Sequence, residues 1–255
     1  MDEETCFAHS THTAMMRLHS FGLIGLLLLA ACHKDQGPDP NRKPDETYDP
    51  IILPADFTNS TLLSHPYFLM ETGKKYVFEG QSEDGVERIE VQRLGQTRTV
   101  LGIECIVVND KVWLEGTLIE DTDDWYAQDN DGNVWYFGEE VDNYDDNGKF
   151  KDHSGAWEAG VDGAKPGIIM PADPRVGQAY REEYYFNEAE DEAEIIGTGL
   201  TVQTPYGTFT GCIKTRNWTE LEPEVTEYKY YAPGLGVVRE ENPAESEEVN
   251  LIDIQ

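Results

Sequence analysis

Asp129-Asn-Asp-Gly-Asn-Val-Trp-Tyr-Phe137 is the stretch whose reading decides the fold. Polar residues surround a glycine and lead straight into apolar and aromatic ones. Asp-Gly supplies the positive φ of a tight hairpin turn, and Val-Trp-Tyr-Phe suits a pleated strand. The same grammar recurs on both sides. Val86-Glu-Arg-Ile-Glu-Val91 and Ile103-Glu-Cys-Ile-Val-Val108 read as strands, and Glu83-Asp-Gly85, Asp146-Asn-Gly148 and Pro205-Tyr-Gly207 punctuate them as turns. The expected class is all-β, built of antiparallel meanders. The best helix candidate is Glu188 to Ile196, either a short helix capped by Asn187 or a solvated acidic loop.

Two segments read alike. One runs from Gly73-Lys-Lys-Tyr76 through Cys105 and Trp113 to Asp124-Trp-Tyr126 and Gly132-Asn-Val-Trp135. The other runs from Gly177-Gln-Ala-Tyr180 through Cys212 and Trp218 to Lys229-Tyr-Tyr231 and Gly236-Val-Val238. Shared order at near-equal spacing indicates an internal duplication. A lone meander cannot hide its apolar face, so two copies are expected to close on each other as a sandwich or open barrel. The expected boundaries are a signal segment over 1–31 and a flexible tether over 32–56. A first β half over 57–141, a connector over 142–176 and a second half with its tail over 177–255 complete the chain.

The longest apolar run, Phe21 to Ala31, is too short to cross a bilayer as a helix, which takes about 20 residues. It has the length of a signal-peptide core behind the short basic stretch Met16, Arg17 and His19. Asp2, Glu3 and Glu4 do not suit such a leader, so Met15 or Met16 is the expected start. Leu29-Ala30-Ala31-Cys32 resembles the lipobox of bacterial lipoprotein signal peptides. That resemblance implies cleavage before Cys32, a diacylglycerol on its thiol with palmitate-type acyl chains, and a membrane as partner through the anchor. His33 at the next position, in place of Asp, implies an outer-membrane destination in the cell envelope.

Pro205-Tyr-Gly207-Thr-Phe209 with Gly211-Cys212, followed by Glu227 to Val238 (EYKYYAPGLGVV), resembles a pattern in exported bacterial proteins of an uncharacterised family. The block Asp124 to Glu139 is similar to the same group. The resemblance implies an exported β-fold and no particular activity.

The chain carries 50 acidic and 19 basic residues, a net charge of −31. Such a field repels nucleic acid and attracts cations. After Cys32 only Cys105 and Cys212 remain, and a disulfide between them is allowed in an oxidising compartment. No Gly-x-Ser-x-Gly elbow, His-Glu-x-x-His helix, phosphate loop or dinucleotide fingerprint occurs. Glu139-Glu140, Glu182-Glu183 and Glu240-Glu241 are paired carboxylates of the kind glycoside hydrolysis uses, but in so acidic a chain they read as solvated surface. Asp129, Asp131 and Asn133 place oxygens at alternate positions around Gly132, which makes calcium the candidate metal; the competing reading is a plain hairpin turn. Trp125, Trp135, Tyr136, Trp218, Tyr230 and Tyr231 serve either as core or as a ligand-contacting surface. The expected role is non-enzymatic, in binding or envelope structure. The alternatives are a carrier or sensor for a hydrophobic or glycan ligand, and an enzyme acting on envelope polysaccharide.

Overall fold

The computed structural model describes residues 41–82, 84–244 and 246–255. The signal segment, Cys32 and the head of the tether lie outside the described residues. Fifteen strands form one sheet. They are Lys75–Ser82 (β1), Gly85–Val100 (β2), Ile103–Leu114 (β3), Thr117–Gln128 (β4) and Val134–Tyr144 (β5), then the short Phe150–Asp152 (β6) and Trp157–Glu158 (β7), and Lys165–Met170 (β8). Ala179–Arg181 (β9), Glu183–Tyr184 (β10), Asp191–Gln203 (β11), Thr208–Thr219 (β12), Glu227–Ala232 (β13), Gly236–Asn242 (β14) and Glu247–Ile254 (β15) follow. Every pairing is antiparallel.

The strands run β10-β8-β5-β4-β3-β2-β1-β15-β14-β13-β12-β11-β9 across the sheet. Strands β9 and β10 are one stave interrupted at Glu182, with β9 on β11 and β10 on β8. The two ends of the sheet therefore meet at Glu182, and the barrel is nearly closed. Closure removes the exposed edges that an open sheet must otherwise protect.

The two segments that read alike fold alike. Strands β1 to β5 with β8 make one half; β9/β10 with β11 to β15 make the other. In each half the last stave pairs with the fifth and then with the first stave of the opposite half: β8 with β5 and β10, β15 with β14 and β1. The segment 142–176, read as a connector, thus contains a stave of the first half. The helix candidate at Glu188 is a turn leading into β11. Ala193 and Ile195 are buried, and Glu192 and Glu194 pair outward with Arg181 and Arg216. A period of two, hidden in an acidic run, prevails over helix propensity.

The barrel ends differ. At one end the interior is apolar, with Tyr76, Phe78, Val91, Tyr231, Val238 and Leu251. Residues 57–70 plug it. Phe68 packs edge-on against Tyr126 at 5.2 Å, and Arg93 pins the plug by donating to the carbonyls of Thr61 and Met70. Burying a side chain such as Phe68 contributes about 2–3 kcal/mol.

The stretch 41–49, expected as flexible tether, lies as a strap on the seam where the sheet ends meet. Arg42 reaches Glu190 at 2.5 Å and Glu220 at 3.1 Å. The backbone N–H of Asp45 donates to the Tyr184 hydroxyl at 2.6 Å, and the Tyr48 hydroxyl donates to the Pro166 carbonyl at 2.8 Å. The Arg181 guanidinium sits 5.3 Å from the centre of the Tyr48 ring and 5.0 Å from that of Tyr184. Strong local anchors on both sides of the seam outweigh the polar, proline-rich composition that suggests a loose tether.

Candidate functional site

The interior of the other end is acidic. Along β4, Glu120, Thr122, Asp124 and Tyr126 point in, while Asp121 and Asp123 point out towards Lys111 and Asn109. Glu87 on β2, Asp110 on β3, Glu139 on β5, Glu227 on β13, Glu240 on β14 and Glu247 on β15 are also buried. Glu182, Glu183 and Asp191 join them from the seam. Register places these groups against one another: Asp124 faces Glu139 across β4 and β5, and Glu240 faces Lys229 across β13 and β14. Lys229, 1% exposed, is the one buried Lys or Arg among the described residues.

Lys229 and Asp124 occupy corresponding places in the two similar segments, each two residues before a fully buried tyrosine, Tyr231 or Tyr126. One half thus contributes an acid where the other contributes the compensating base. Burial alone would lower the Lys229 ammonium, but Glu240, Glu182, Glu227 and Asp191 outweigh it and hold it above its usual value.

The acids move the other way, because burial penalises their charged form. Burial pushes Glu120 up to about 7. It pushes Asp124 up to about 7 as well; the Tyr136 hydroxyl donates to this carboxylate at 2.6 Å and holds it down, while Glu120 and Asp123 add to the rise. Burial also takes Glu240 to about 7, against the pull of Lys229. Asp110 goes well above the carboxylate range, through burial first and then through Asp124, Glu120, Glu240 and Glu87. Neither oxygen of Asp110 has a hydrogen-bond partner. Glu183 and Asp191 rise together, burial again leading, with the Glu183 carboxyl bonded to Asp191. A carboxyl buried in this way keeps its proton to a higher pH than an exposed one.

An aromatic column divides this chamber from the apolar end. Phe68 meets Tyr126, Tyr126 stacks on Tyr136 at 4.8 Å, and Tyr136 meets the edge of Trp157 at 5.2 Å. The aromatics fill space. At the apolar end, Met70, Tyr76, Phe78, Val91, Leu235, Gly236 and Val237 surround a pocket with room for a molecule about the size of water.

The calcium candidate is corrected. The Asp129 carboxylate accepts from the backbone N–H groups of Asp131, Gly132 and Asn133 through one oxygen, and from Asn133 Nδ2 and Trp135 Nε1 through the other. Asn133 Oδ1 accepts from Ala172 N–H. These oxygens serve a hairpin turn and have little capacity left for a metal. No cluster of three or more His, Cys, Asp or Glu side chains placed to hold a metal occurs among the described residues. The disulfide is also corrected: Cys105 and Cys212 are both buried free thiols, on β3 and β12, with five staves between them. The paired carboxylates divide between the two faces. Glu139 and Glu240 are inside while Glu140 and Glu241 are not, and Glu182 and Glu183 are both buried at the seam. Reading all of them as solvated surface missed the chamber. The signal was present in the correspondence of Lys229 with Asp124, since a lysine in phase with an inward tyrosine must itself point inward.

No protein-family model matches the chain, and no curated protein does. Two solved structures are similar in outline. One is a candidate exported protein with a YmcC-like fold from Bacteroides fragilis NCTC 9343, at 15% identity and a TM-score of 0.42. The other is a candidate lipoprotein from Parabacteroides distasonis ATCC 8503, at 15% identity and a TM-score of 0.41. Each likeness covers 74% of this chain and 98% of the other. Likenesses of this depth transfer no activity, so the functional reading rests on the chain's own residues.

Proposed function

We propose that this chain is an exported lipoprotein, held on the outer membrane by acylation of Cys32, with a non-enzymatic role in binding or envelope structure. The anchor rests on Leu29-Ala30-Ala31-Cys32 behind its apolar run. Two or more acyl chains make a stable anchor.

One observation supports a non-enzymatic role: the carboxyls that face one another do so inside the barrel, with Asp124 and Glu139 each 1% exposed. A polysaccharide enzyme needs two such groups flanking a chain it can admit. The carrier alternative needs an empty, aromatic-lined cavity, whereas Tyr126, Tyr136, Phe68 and Trp157 pack against one another.

Labelling cells with a palmitate analogue tests the anchor. Wild-type protein is expected to carry the label and fractionate with membranes, and Cys32→Ala is expected to lose both. An unlabelled, soluble wild-type protein would overturn the proposal. Release of reducing ends from envelope polysaccharide by the purified barrel, abolished by Glu139→Gln, would replace the binding role with catalysis.

A further inference from the structure

The interior carboxyls exceed what folding requires of a core. Nine staves contribute them, with β9/β10 counted as one, and Lys229 is the one buried lysine among the described residues that opposes them. A buried acid on one side of a β-structure is an ordinary compromise; acids from both halves aimed at one another across a closed barrel are an arrangement with a consequence.

Asp110 is buried on β3, in the middle of the first half. Glu87 on β2, Glu120 and Asp124 on β4, and Glu240 on β14 act on it. Its cross-strand neighbours, Val91 and Thr122, bring no charge. Glu240 in turn is acted on by Lys229 on β13 and by Glu182 at the seam, with Val249 opposite it on β15. Glu227 feels Lys229, Glu240, Asp191 and Glu247. Glu183 feels Asp191, Glu139 and Glu182. The network is continuous from β2 round to β15. Lys229 is the one buried Lys or Arg set against it among the described residues, and burial of the remaining carboxyls favours their protonated form.

We propose that the acid-lined interior is a proton-operated latch: protonated, its carboxyls let the two halves close on each other, and loss of those protons in alkaline surroundings loosens the barrel. The place of opening follows from the topology. The seam at Glu182 is held by the short strands β9 and β10, and Glu182, Glu183 and Asp191 stand directly behind it. Repulsion among them acts on the weakest pairing in the barrel. The strap, with its Arg42 pair to Glu190 and its Tyr48 contact to Pro166, bridges that pairing from outside.

The test is urea unfolding of the described barrel with its strap, residues 41–255, and of the intact chain with Cys32 replaced by Ser, from pH 5 to 9. The folding constant of the wild type is expected to fall as pH rises, by a factor of ten per pH unit for each proton the folded form holds in excess. Asp110→Asn and Glu240→Gln, which keep the shape of the protonated carboxyl, are each expected to reduce that slope by about one proton. A folding constant that is flat or rises from pH 5 to 8 would overturn the proposal, as would amide variants with the wild-type slope. If the variants do not fold, the protons released when wild-type protein is unfolded by urea at pH 7 in unbuffered solution decide: net release supports the latch, and uptake or no change refutes it. Hydrogen exchange at pH 9 locates the opening. Early exchange in residues 179–184 is expected, and early exchange confined to β1 to β4 would refute the seam as its place.

Discussion

Lys229→Met removes the one buried cation opposing the acidic interior while keeping side-chain length and approximate volume, so its effect is chiefly electrostatic. Lys229 holds down Glu240, Glu182, Glu227 and Asp191. These carboxyls sit above their usual values in the folded state, so the folded protein keeps protons that the unfolded chain gives up. Their destabilising effect is absent below about pH 4, where both states are protonated, and grows as pH rises towards the folded value, about 7 for Glu240. The Lys229 ammonium is raised, so it stays charged from pH 5 to 8 and its contribution is lost only at higher pH. Removing one partner of a buried ion pair costs about 3–5 kcal/mol. That loss is expected at pH 8. At pH 5 the stranded carboxyls take up protons instead, and the loss falls to about 1 kcal/mol. With a urea dependence of about 3 kcal/mol per molar for a chain of this length, the midpoint drops by about 1–1.7 M at pH 8 and by about 0.3 M at pH 5. Tryptophan fluorescence reads it, through Trp157 beside Tyr136. Equal losses at both pH values would mean that Lys229 acts through packing alone and would refute the charge argument.

Phe68→Ala opens a cavity under Tyr126 and is expected to cost about 3–5 kcal/mol by thermal unfolding; a loss under 1 kcal/mol would mean the plug is not part of the core. A Cβ on Gly138 would lie 2.3 Å from the Trp157 carbonyl oxygen, at φ +129°. Gly138→Ala is therefore expected to cost more than about 2 kcal/mol, and Gly163→Ala, with nothing near its Cβ, only the backbone strain of about 1 kcal/mol. Equal losses in the two would remove the close approach of β7 as a cause. Arg42→Ala unpairs Glu190 and Glu220 and is expected to speed proteolysis within residues 41–53 several-fold, with little change in the melting temperature of the barrel; an unchanged cleavage rate would mean that other contacts hold the strap. Cys105 and Cys212 are expected to react with a thiol reagent only after unfolding, without prior reduction, and an absence of reactive thiols in the denatured chain would mean they are bridged.

The strands and turns were legible because local chemistry dictates them. Asp131-Gly132 and Asn147-Gly148 take positive φ at their glycines, and the aromatic run after the first pairs as an antiparallel strand. Trp125 and Tyr126 go to opposite faces as the pleat requires: Trp125 lies under the Arg98 guanidinium at 3.8 Å, and Tyr126 is fully buried. What the sequence concealed was which face points inward. Glu120-Asp-Thr-Asp-Asp124 is polar at every position, so alternation carries no sign, and only the register of β4 between β3 and β5 turns Glu120, Thr122 and Asp124 inside. The plug at 57–70 and the strap at 41–49 were hidden for a different reason. Neither has a period, and each is held by single contacts to distant staves, such as the Gln128 amide oxygen accepting from Ser64 N–H and Tyr48 reaching Pro166. The calcium reading failed because turn and metal loop draw on the same residues, and only the hydrogen bonds of Asp129 separate them.

Carboxyls from both halves of the barrel are buried in its interior and are expected to hold protons at neutral pH. Carbon-13 NMR of Asp- and Glu-labelled protein, titrated from pH 3 to 9, tests it group by group, with Asp124→Asn, Glu120→Gln and Glu240→Gln giving the assignments. Resonances of Asp124, Glu120 and Glu240 are expected to titrate at about 7, with Asp110 still protonated well above the ordinary carboxylate range. If these groups instead titrate at about 4, like carboxyls in water, the interior is hydrated and open, and both the closed chamber and the latch are wrong.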